Sequence, residues 1–312
     1  MDATPSVRLP PDARSGVPQR PPAATAIRGR TFSWGQRTYV MGIVNVTPDS
    51  FSGDGLLARS ADPVAEAVRL AQTMAAEGAD MLDIGGQSTR PGHAPVETAE
   101  EIERVLPVVR AVRRALPDMP LSIDTTRAQV AEAALDAGAD ILNDIWGVDA
   151  EHDLLRLAAE RDAPVVVMHN RTEARYHNVV AEVVADLSRA LDRALDAGIA
   201  WDALIVDPGI GFGKTPDQNL AVLRDLALLG VLGRPVLIGT SRKSTIGKVL
   251  DASAEERLEG TLATTALAVG AGVDVVRVHD VLPNLRAARM ADAITRGGWT
   301  EASGWNEVEA VR

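Results

Sequence analysis

The run Val275-Val276-Arg277-Val278-His279 is the last of eight short apolar stretches that lie between residues 38 and 280. Each stretch ends on polar or charged residues and is followed by a segment with helical spacing of its apolar residues. A strand that is buried on both faces must be apolar almost throughout, so the eight stretches predict parallel strands covered by helices. The other seven stretches are 40–45, 81–84, 121–124, 141–144, 165–169, 204–207 and 236–241.

Eight strand–helix units of this kind predict an α/β fold, a single (β/α)8 TIM barrel. Such a barrel takes about 250 residues, and the chain has 312. A doubly wound open sheet is the alternative architecture, but polar residues at every strand end, rather than at one switch point, favour the closed barrel. The predicted helices are 63–78, 96–116, 127–138, 151–162, 179–198, 216–230, 254–272 and 283–295.

The first 30 residues differ from the rest of the chain. Six prolines fall within the first 22 positions and almost no apolar periodicity is present, so residues 1–30 predict a disordered extension. Residues 31–312 then form one domain, because the composition shows no break between its halves. At its start, residues 31–38 predict a short hairpin with a Gly35-Gln36 turn, flanked by Phe32, Trp34 and Tyr39, that covers the lower end of the barrel.

Composition excludes several classes of function. The formal net charge of −11 argues against a general nucleic-acid or membrane surface, which would need a basic footprint. The sequence has no cysteine, which excludes disulfides, thiolate metal sites and cysteine nucleophiles. No apolar run approaches the roughly 18 residues that a membrane span needs, and no signal-peptide core is visible. We therefore expect a cytoplasmic protein that acts on small molecules.

The glycine-rich segment 209–215 matches neither of two common nucleotide-binding motifs. A phosphate-binding P-loop needs glycine where Pro208 stands, and the dinucleotide pattern needs glycine where Lys214 stands. We therefore interpret the segment as a flexible loop after the sixth strand, which can bring its backbone close to a flat ligand.

Basic residues cluster after the last two predicted strands. Ser241-Arg242-Lys243-Ser244 follows the seventh strand, and Arg277 and His279 lie one period-two step apart on the eighth. Loops at this place in such barrels frequently bind anions, so the cluster predicts a phosphate or pyrophosphate site. A surface cluster of salt bridges is the alternative interpretation.

Four strand-end carboxylates, together with Asn143, form a second candidate group. Paired carboxylate and amide groups can bind an amidine-like or guanidine-like edge, and they can also bind Mg²⁺, which takes several oxygen ligands. No spacing decides between these ligands. Only His169 and His279 lie at strand ends, which does not favour a zinc triad. The four carboxylates are Asp83, Asp124, Asp144 and Asp207.

Seven motifs, in order between about residues 38 and 296, resemble those of the dihydropteroate synthases, a pterin-binding family of TIM barrels. The motifs are MGIVNVTPDSFS at 41–52, DIGGQSTRPG at 83–92, SIDT at 122–125, NDI at 143–145, DPGIGFGK at 207–214, GTSRKS at 239–244 and RVHD at 277–280. Any one motif is modest evidence, but seven in register are highly specific.

The resemblance implies a folate-pathway transferase that joins 6-hydroxymethyl-7,8-dihydropterin pyrophosphate to p-aminobenzoate by a dissociative displacement. It also implies Mg²⁺ near Asn45, a homodimer, and competition between sulfonamides and p-aminobenzoate. The residues that it assigns to the pterin are Asp124, Asn143, Met168, Asp207, Lys243 and Arg277. Those that it assigns to the pyrophosphate are Asn45, Arg277 and His279, and those assigned to p-aminobenzoate are Phe51, Thr89, Arg90, Pro91, Phe212 and Ser244. The implied catalytic set is Asp124, Asp207, Lys243, Arg277 and His279.

The sequence departs from the family pattern at three places. Gln87 stands where the family usually has glutamate, Gly53-Asp54 reverses a more usual order, and the segment 170–175 lacks the usual Gly-x-Pro turn.

Two other functions are alternatives: a catalytically silent pterin-binding paralogue, and a methyltransferase that acts on methyltetrahydrofolate with a corrinoid partner. The methyltransferase gives no reason for a pyrophosphate site. The silent paralogue should show damage in the loops after the first two strands, whereas Phe51, Thr89 and Arg90 are retained.

Overall fold

The computed structural model describes residues 21–46, 62–87, 96–147 and 153–297. Its core is a ring of eight parallel strands, in which the order of the strands follows the chain. One isolated bridge, between Val206 and Val236, joins the two ends of the sheet and closes the ring. The predicted (β/α)8 TIM barrel is therefore confirmed.

Helices lie between the strands of the ring. In chain order the strands are β1 (Thr25–Ile27), β2 (Arg30–Phe32), β3 (Tyr39–Asn45), β4 (Met81–Gly85), β5 (Leu121–Asp124), β6 (Ile141–Asp144), β7 (Val165–Met168), β8 (Leu204–Asp207), β9 (Leu237–Ile238) and β10 (Val275–Val278). The helices are α1 (Pro63–Ala76), α2 (Thr98–Ala115), α3 (Ala128–Ala137), α4 (Asp153–Glu160), α5 (Val179–Asp196), α6 (Pro216–Arg224), α7 (Ser244–Leu250), α8 (Leu258–Gly270) and α9 (Val281–Thr295). None of these helices combines the length and the apolar character that crossing a bilayer requires.

Local sequence sets where several helices begin. Asp62 caps α1, because its side chain accepts hydrogen bonds from two backbone N–H groups of the first turn, and Pro63 occupies the first helical position, where no donor is needed. α6 begins with a capping box, in which Thr215 and Gln218 each bind the other's backbone N–H. These caps fix the two helices that follow the loops of the barrel mouth after β3 and β8.

Two predicted helices are divided in the structure, and one helix was not predicted. The segment 216–230 becomes α6 and a 3-10 helix (Leu226–Leu232), and the segment 254–272 becomes a 3-10 turn (Ala254–Glu256) and α8. The unpredicted helix is α7, in the connection after β9. Its seven residues are too few for a helical period to be recognised in the sequence.

The N-terminal hairpin lies earlier in the chain than predicted. β1 and β2 pair in antiparallel register around Arg28 and Gly29, whereas the predicted turn at Gly35 and Gln36 follows β2. Arg28 and Gly29 have φ angles of 51° and 73°, the left-handed backbone that a tight hairpin turn requires. Residues 25–30 therefore belong to the folded domain and not to the predicted extension, and residues 1–20 lie outside the described ranges.

Alternation along the strands separates two apolar layers. Outward-facing side chains such as Leu82 and Ile84 pack beneath the helices in the larger layer. Inward-facing side chains fill the lower end of the barrel, and aromatic residues from the N-terminal segment pack against them. The N-terminal hairpin thus covers the lower end, as predicted. The members of this lower layer are Ile27, Phe32, Trp34, Tyr39, Met41, Met81, Ile141, Val166, Ile205, Leu237 and Val275.

Candidate active site

The inner face of the barrel changes from apolar to polar one step above the lower layer. Successive inward positions on a strand are two residues apart, so Met81 is followed by Asp83, and Val275 by Arg277. This upper end is formed by the carboxyl ends of the strands, where the active sites of TIM barrels lie. The inward polar residues here are Asp83, Ser122, Asp124, Asn143, Asp207 and Arg277.

Arg277 is the centre of a buried network of charges. Its Nε donates to Asp83 Oδ2 at 2.6 Å, and its Nη2 donates to Asp124 Oδ2 at 2.8 Å. Asn143 Nδ2 also donates to Asp83 Oδ2, at 3.0 Å. Burial opposes the charge on Arg277, but the two carboxylates outweigh it and raise its pKa above the ordinary value. The guanidinium therefore stays charged and joins β10 to β4 and β5, which lie on the far side of β3.

Three acceptors of this network have no hydrogen-bond partner within the described part of the chain. They are Oδ1 of Asp83, Oδ1 of Asp124 and Oγ of Ser122. Buried polar atoms seldom go without a partner, so the pocket suits a ligand that presents several N–H groups along one edge. Burial raises the pKa of Asp124 to about 7, against the lowering effect of Arg277. This carboxyl therefore changes its charge close to neutral pH.

Asp207 and Lys243 form the second charged group of the mouth. Asp207 Oδ1 accepts a hydrogen bond from the backbone N–H of Gly209 at 2.7 Å, and burial raises the pKa of this carboxyl. Burial lowers the pKa of Lys243 to about 8, although Asp207 favours the charged amine. Lys243 Nζ donates to the carbonyl of Ile210 and lies 4.3 Å from the ring centroid of Phe212, a cation–π contact. Lys243 thus joins the loops that follow β8 and β9.

Met168 and Asn45 end their strands on either side of this mouth. Met168 is buried at the end of β7 and is the register partner of Asp207 on β8. Asn45 is half-buried at the end of β3 and is the register partner of Gly85 on β4. The resemblance assigns Met168 to the pterin and Asn45 to the pyrophosphate.

His279 and Ser244 lie on the connections after β10 and β9. Nδ1 of His279 lies 2.9 Å from Oγ of Ser241, which also accepts from the backbone N–H of His279 at 3.2 Å. Ser244 is exposed and is the first residue of α7, directly after Lys243. Ser241, in the connection after β9, therefore fixes the imidazole of His279 at the end of β10.

The glycine loop, residues 209–214, packs against the segment that follows β7. Lys214 Nζ donates to the carbonyls of Gly209 and Phe212 at 3.0 and 3.1 Å, and lies 2.9 Å from Nδ1 of His169. Nε2 of His169 lies 3.1 Å from Oδ2 of Asp186 on α5. Burial lowers the pKa of Lys214 to about 7 and that of His169 to about 4. The imidazole is therefore neutral, and it ties the glycine loop to α5.

The structure brings ten of the predicted site residues to the upper end of the barrel. These are Asn45, Asp124, Asn143, Met168, Asp207, Phe212, Lys243, Ser244, Arg277 and His279. The other four, Phe51, Thr89, Arg90 and Pro91, lie outside the described residues. Their roles remain predictions.

Asp144 and Asp83 are the two carboxylates for which the strand-end argument was too coarse. Asp144 follows Asn143 directly and so lies on the outer face of the ring, where its Oδ1 accepts from the backbone N–H of Trp146 at 3.0 Å. It stabilises a turn and does not face the pocket. Asp83 was predicted only as one of the four strand-end carboxylates, without its contact to Arg277, and Ser122 was part of the SIDT motif but was given no role. The signal for both was available, because each shares its strand face with an inward-facing neighbour two residues away.

The chain is similar to proteins of one family throughout the barrel. The family model for the pterin binding enzymes matches residues 41–279. The dihydropteroate synthase of Clostridium beijerinckii is 46% identical over 271 residues, which are 86% of this chain and 99% of that protein.

Two solved structures extend the similarity to the fold. The dihydropteroate synthase of Xanthomonas albilineans with 4-aminobenzoic acid is 40% identical with a TM-score of 0.81, over 88% of this chain and 98% of that one. The dihydropteroate synthase of Yersinia pestis in complex with a sulfonamide drug is 37% identical with a TM-score of 0.82, over 88% of this chain and the whole of that one.

Proposed function

This chain belongs to the dihydropteroate synthases, the transferases that make dihydropteroate in folate biosynthesis, and we propose from that premise how its residues divide the work. The reaction joins 6-hydroxymethyl-7,8-dihydropterin pyrophosphate to p-aminobenzoate and releases pyrophosphate. One observation carries the proposal: the buried network around Arg277 leaves acceptors of Asp83, Asp124 and Ser122 without a partner among the described residues.

The pterin ring binds deep in the barrel, on this network. One edge of a pterin carries an amino group and ring nitrogens, which can donate to the carboxylates of Asp83 and Asp124. Asn143, which is 3% exposed, lies beside them and adds an amide group to the same edge. The apolar lower layer lies beneath this network. The pterin ring therefore loses water and gains protein contacts on its face as well as on its edge.

Asp207, Lys243 and Met168 complete the pterin site from the opposite side. Asp207 and Lys243 provide an acceptor and a donor of opposite charge, and Met168 offers an apolar contact to the face of the ring. The carboxylate of Asp207 is already held by the backbone of Gly209, so little rearrangement is needed when a ligand arrives.

The pyrophosphate is bound above the pterin by Arg277, His279 and Asn45. A guanidinium and an imidazole two residues apart at the end of β10 can neutralise charge that builds on the departing group. Within the described ranges, no group of three or more histidine, aspartate or glutamate side chains is arranged to hold a metal ion. Asn45, at the end of β3, would help to hold Mg²⁺, which would neutralise further charge on the pyrophosphate when bound.

The substitution proceeds by a dissociative path. The bond between the methylene carbon and the pyrophosphate oxygen breaks first, and the carboxylates of Asp124 and Asp207 stabilise the pterin-bound cation electrostatically. The neutral arylamine nitrogen then forms the new bond to carbon and loses one proton. No side chain acts as a nucleophile, and exclusion of water protects the cation from hydrolysis.

The p-aminobenzoate lies at the mouth, between the loops that follow β8 and β9. Phe212 offers an aromatic wall, Ser244 a hydroxyl, and the Lys243 ammonium lies against Phe212. The resemblance also assigns Phe51, Thr89, Arg90 and Pro91, which lie outside the described residues, to the p-aminobenzoate site. The Xanthomonas albilineans relative binds 4-aminobenzoic acid, and the Yersinia pestis relative binds a sulfonamide drug. We infer that sulfonamides compete with p-aminobenzoate in this chain too.

A cytoplasmic homodimer is the proposed assembly. α8 and α9 pack together at one side of the barrel and expose Leu267, Met290 and Ile294, whose side chains are 72%, 62% and 70% accessible. A cluster of accessible apolar side chains on neighbouring helices supports a contact with a second copy of the chain.

Pyrophosphate release by the purified protein tests the proposed function. The protein is supplied with dihydropterin pyrophosphate and Mg²⁺, with and without p-aminobenzoate, and dihydropteroate is measured in parallel. We expect release that depends on p-aminobenzoate, with one dihydropteroate formed for each pyrophosphate. Tight binding of the pterin without product would contradict the assignment and identify a silent pterin-binding protein.

A further inference from the structure

The glycine loop has no freedom to move towards the segment that follows β7. Gly209 and Gly213 have φ angles of 66° and 54°, and a Cβ atom on them would lie 1.8 Å from the carbonyl oxygen of His169 and 2.2 Å from that of Arg171. The backbones are therefore in direct contact, without side chains between them. Any change in the position of residues 169–171 must be transmitted to the loop that carries Phe212.

Lys214 fastens this contact with three hydrogen bonds. In its charged form Lys214 has three hydrogens, and it donates one to Nδ1 of His169, because the carboxylate of Asp186 can only accept and so requires the proton of the imidazole on Nε2. The other imidazole nitrogen, Nε2, then carries the proton and donates to Asp186. The remaining two hydrogens of Lys214 go to carbonyls inside the loop, those of Gly209 and Phe212. One side chain thus fixes both the shape of the loop and its distance from α5.

Asp186 is in turn anchored by arginines. Arg171 donates to it through Nε at 3.0 Å and Nη2 at 2.7 Å, and reaches Glu182 through Nη1 at 2.8 Å. Arg189, one turn further along α5, also pairs with Asp186. The network that begins at the glycine loop therefore ends on the first three turns of the long helix α5.

Tyr176 makes a second, independent link. Its hydroxyl donates to the carbonyl of Gly213 at 2.9 Å, and the guanidinium carbon of Arg171 lies 4.5 Å from the centre of its ring. Burial raises the pKa of Tyr176 to about 12, so the hydroxyl keeps its proton and remains a donor at physiological pH.

We propose that residues 169–176, which we call the buttress segment, position Phe212 for the arylamine substrate without touching that substrate themselves. This inference rests on the proposed function, since it takes Phe212 as a wall of the p-aminobenzoate site. The buttress segment includes the stretch 170–175, where the sequence departs from the family pattern. Its side chains are thus positioning residues that set the affinity for p-aminobenzoate and for inhibitors that imitate it.

Tyr176→Phe is the first test, because it removes one hydroxyl and keeps the ring that packs on Arg171 and His169. We expect the KM for p-aminobenzoate to rise about threefold to tenfold, the usual effect of losing one hydrogen bond. The kcat and the Kd for dihydropterin pyrophosphate should stay within about twofold, the tolerance for changes outside a site. Lys214→Met removes three hydrogen bonds and should raise the same KM further.

Tyr39→Phe is the matched control. The hydroxyl of Tyr39 likewise makes a hydrogen bond to backbone, accepting from Ser33 N–H at 2.8 Å, but at the lower end of the barrel. An equal increase in KM in this variant would overturn the proposal, since it would show a general effect of lost stability.

A double-variant cycle tests whether the effect passes through Phe212. In a Phe212→Ala background nothing remains to be positioned, so adding Tyr176→Phe should leave the KM for p-aminobenzoate unchanged. A further increase of the same size as in the wild type would overturn the proposal.

Hydrogen exchange of the free protein separates a failure of this inference from a failure of the proposed function. The backbone N–H of Phe212 is bonded to the carbonyl of Gly209 at 3.2 Å, and that of Gly211 to Asn219 Oδ1 at 2.8 Å. Both should exchange faster in Tyr176→Phe, and this readout needs no substrate. Unchanged exchange would overturn the buttress whatever the protein catalyses, and faster exchange with an unchanged KM would overturn its role in positioning. A wild-type protein without turnover that depends on p-aminobenzoate would instead contradict the proposed function.

Discussion

The two ends of the barrel are built from the same strands and serve different purposes. At the lower end the inward side chains are apolar and the N-terminal hairpin covers them, whereas two residues further along four of the strands, β4, β6, β8 and β10, they are polar or charged. Met81 and Asp83 show this step on β4, and Val275 and Arg277 show it on β10. Removing charges from water costs about as much as pairing them returns, so the upper layer contributes less to stability than the lower one. On these four strands the lower positions stabilise the fold, and we propose that the upper positions bind the ligand.

Arg277→Gln should have the largest effect, which should be a loss of catalytic activity. It removes the cation between Asp83 and Asp124 and the group that we propose to face the leaving pyrophosphate, so we expect kcat/KM to fall about 10³-fold, as for a lost electrostatic contact to a transition state. Steady-state turnover together with pterin binding measures it. Retention of more than a tenth of the activity would contradict the role given to the upper layer.

Leu237→Ala should change the free energy of unfolding and leave the kinetics intact. Leu237 is fully buried in the lower layer, and truncation there leaves a cavity that costs about 2–5 kcal/mol. Urea denaturation measures the loss, and turnover well below the melting temperature should match the wild type. A parallel fall in kcat/KM would mean that the two layers are not separate.

The pH dependence of pterin binding sharpens the comparison within the upper layer. Asp124 is ionised only above its pKa of about 7, and Lys243 is protonated only below its pKa of about 8. Affinity should therefore be greatest between about pH 7 and 8 and should decline about tenfold per pH unit on each side. A hydroxymethylpterin without pyrophosphate is the ligand to use, because its binding avoids the titration of phosphate oxygens.

Lys243→Arg identifies the alkaline limb of that profile. A guanidinium keeps its proton throughout the range, so the decline above pH 8 should disappear even if the absolute affinity falls. A decline that persists unchanged would assign the alkaline limb to a group other than Lys243.

Arg37→Gln should have the smallest effect, although it makes the same change as Arg277→Gln. Arg37 also binds an aspartate through two nitrogens, Asp80 at 2.6 and 3.0 Å, but it lies at the lower rim with 39% of its side chain exposed. Exposed pairs of this kind contribute about 1 kcal/mol or less. Thermal unfolding should detect a small shift at most, and activity lower than the wild type would show that the lower rim also influences the site.

The barrel could be predicted from the sequence because its strands are buried on both faces and are therefore nearly continuous apolar runs. The hairpin was misplaced because the aromatic residues that flank Gly35 suggested a turn at that glycine, whereas the left-handed turn is made by Arg28 and Gly29. Helix α7 is too short to show a period.

The predicted site residues that lie at the upper end of the barrel were identified from motifs, whereas the face of the strand that a residue occupies was seen only in the structure. Asp144 and Asn143 are adjacent in sequence, yet only Asn143 faces the pocket. The link from Arg277 to Asp83 spans 194 positions of the chain and joins strands that the sequence alone does not bring into register. Long-range contacts of this kind require the closed ring before they can be recognised.

The contact between the glycine loop and the buttress segment also limits how this protein can evolve resistance. Gly209 and Gly213 meet the opposing backbone so closely that no larger side chain fits at either position. An inhibitor that contacts the backbone of this loop therefore binds a surface that few substitutions can change. Resistance to such an inhibitor would have to arise from substitution of side chains that hold the loop in place, such as Tyr176 and Lys214. These substitutions would shift the backbone of the loop without changing its chemical groups.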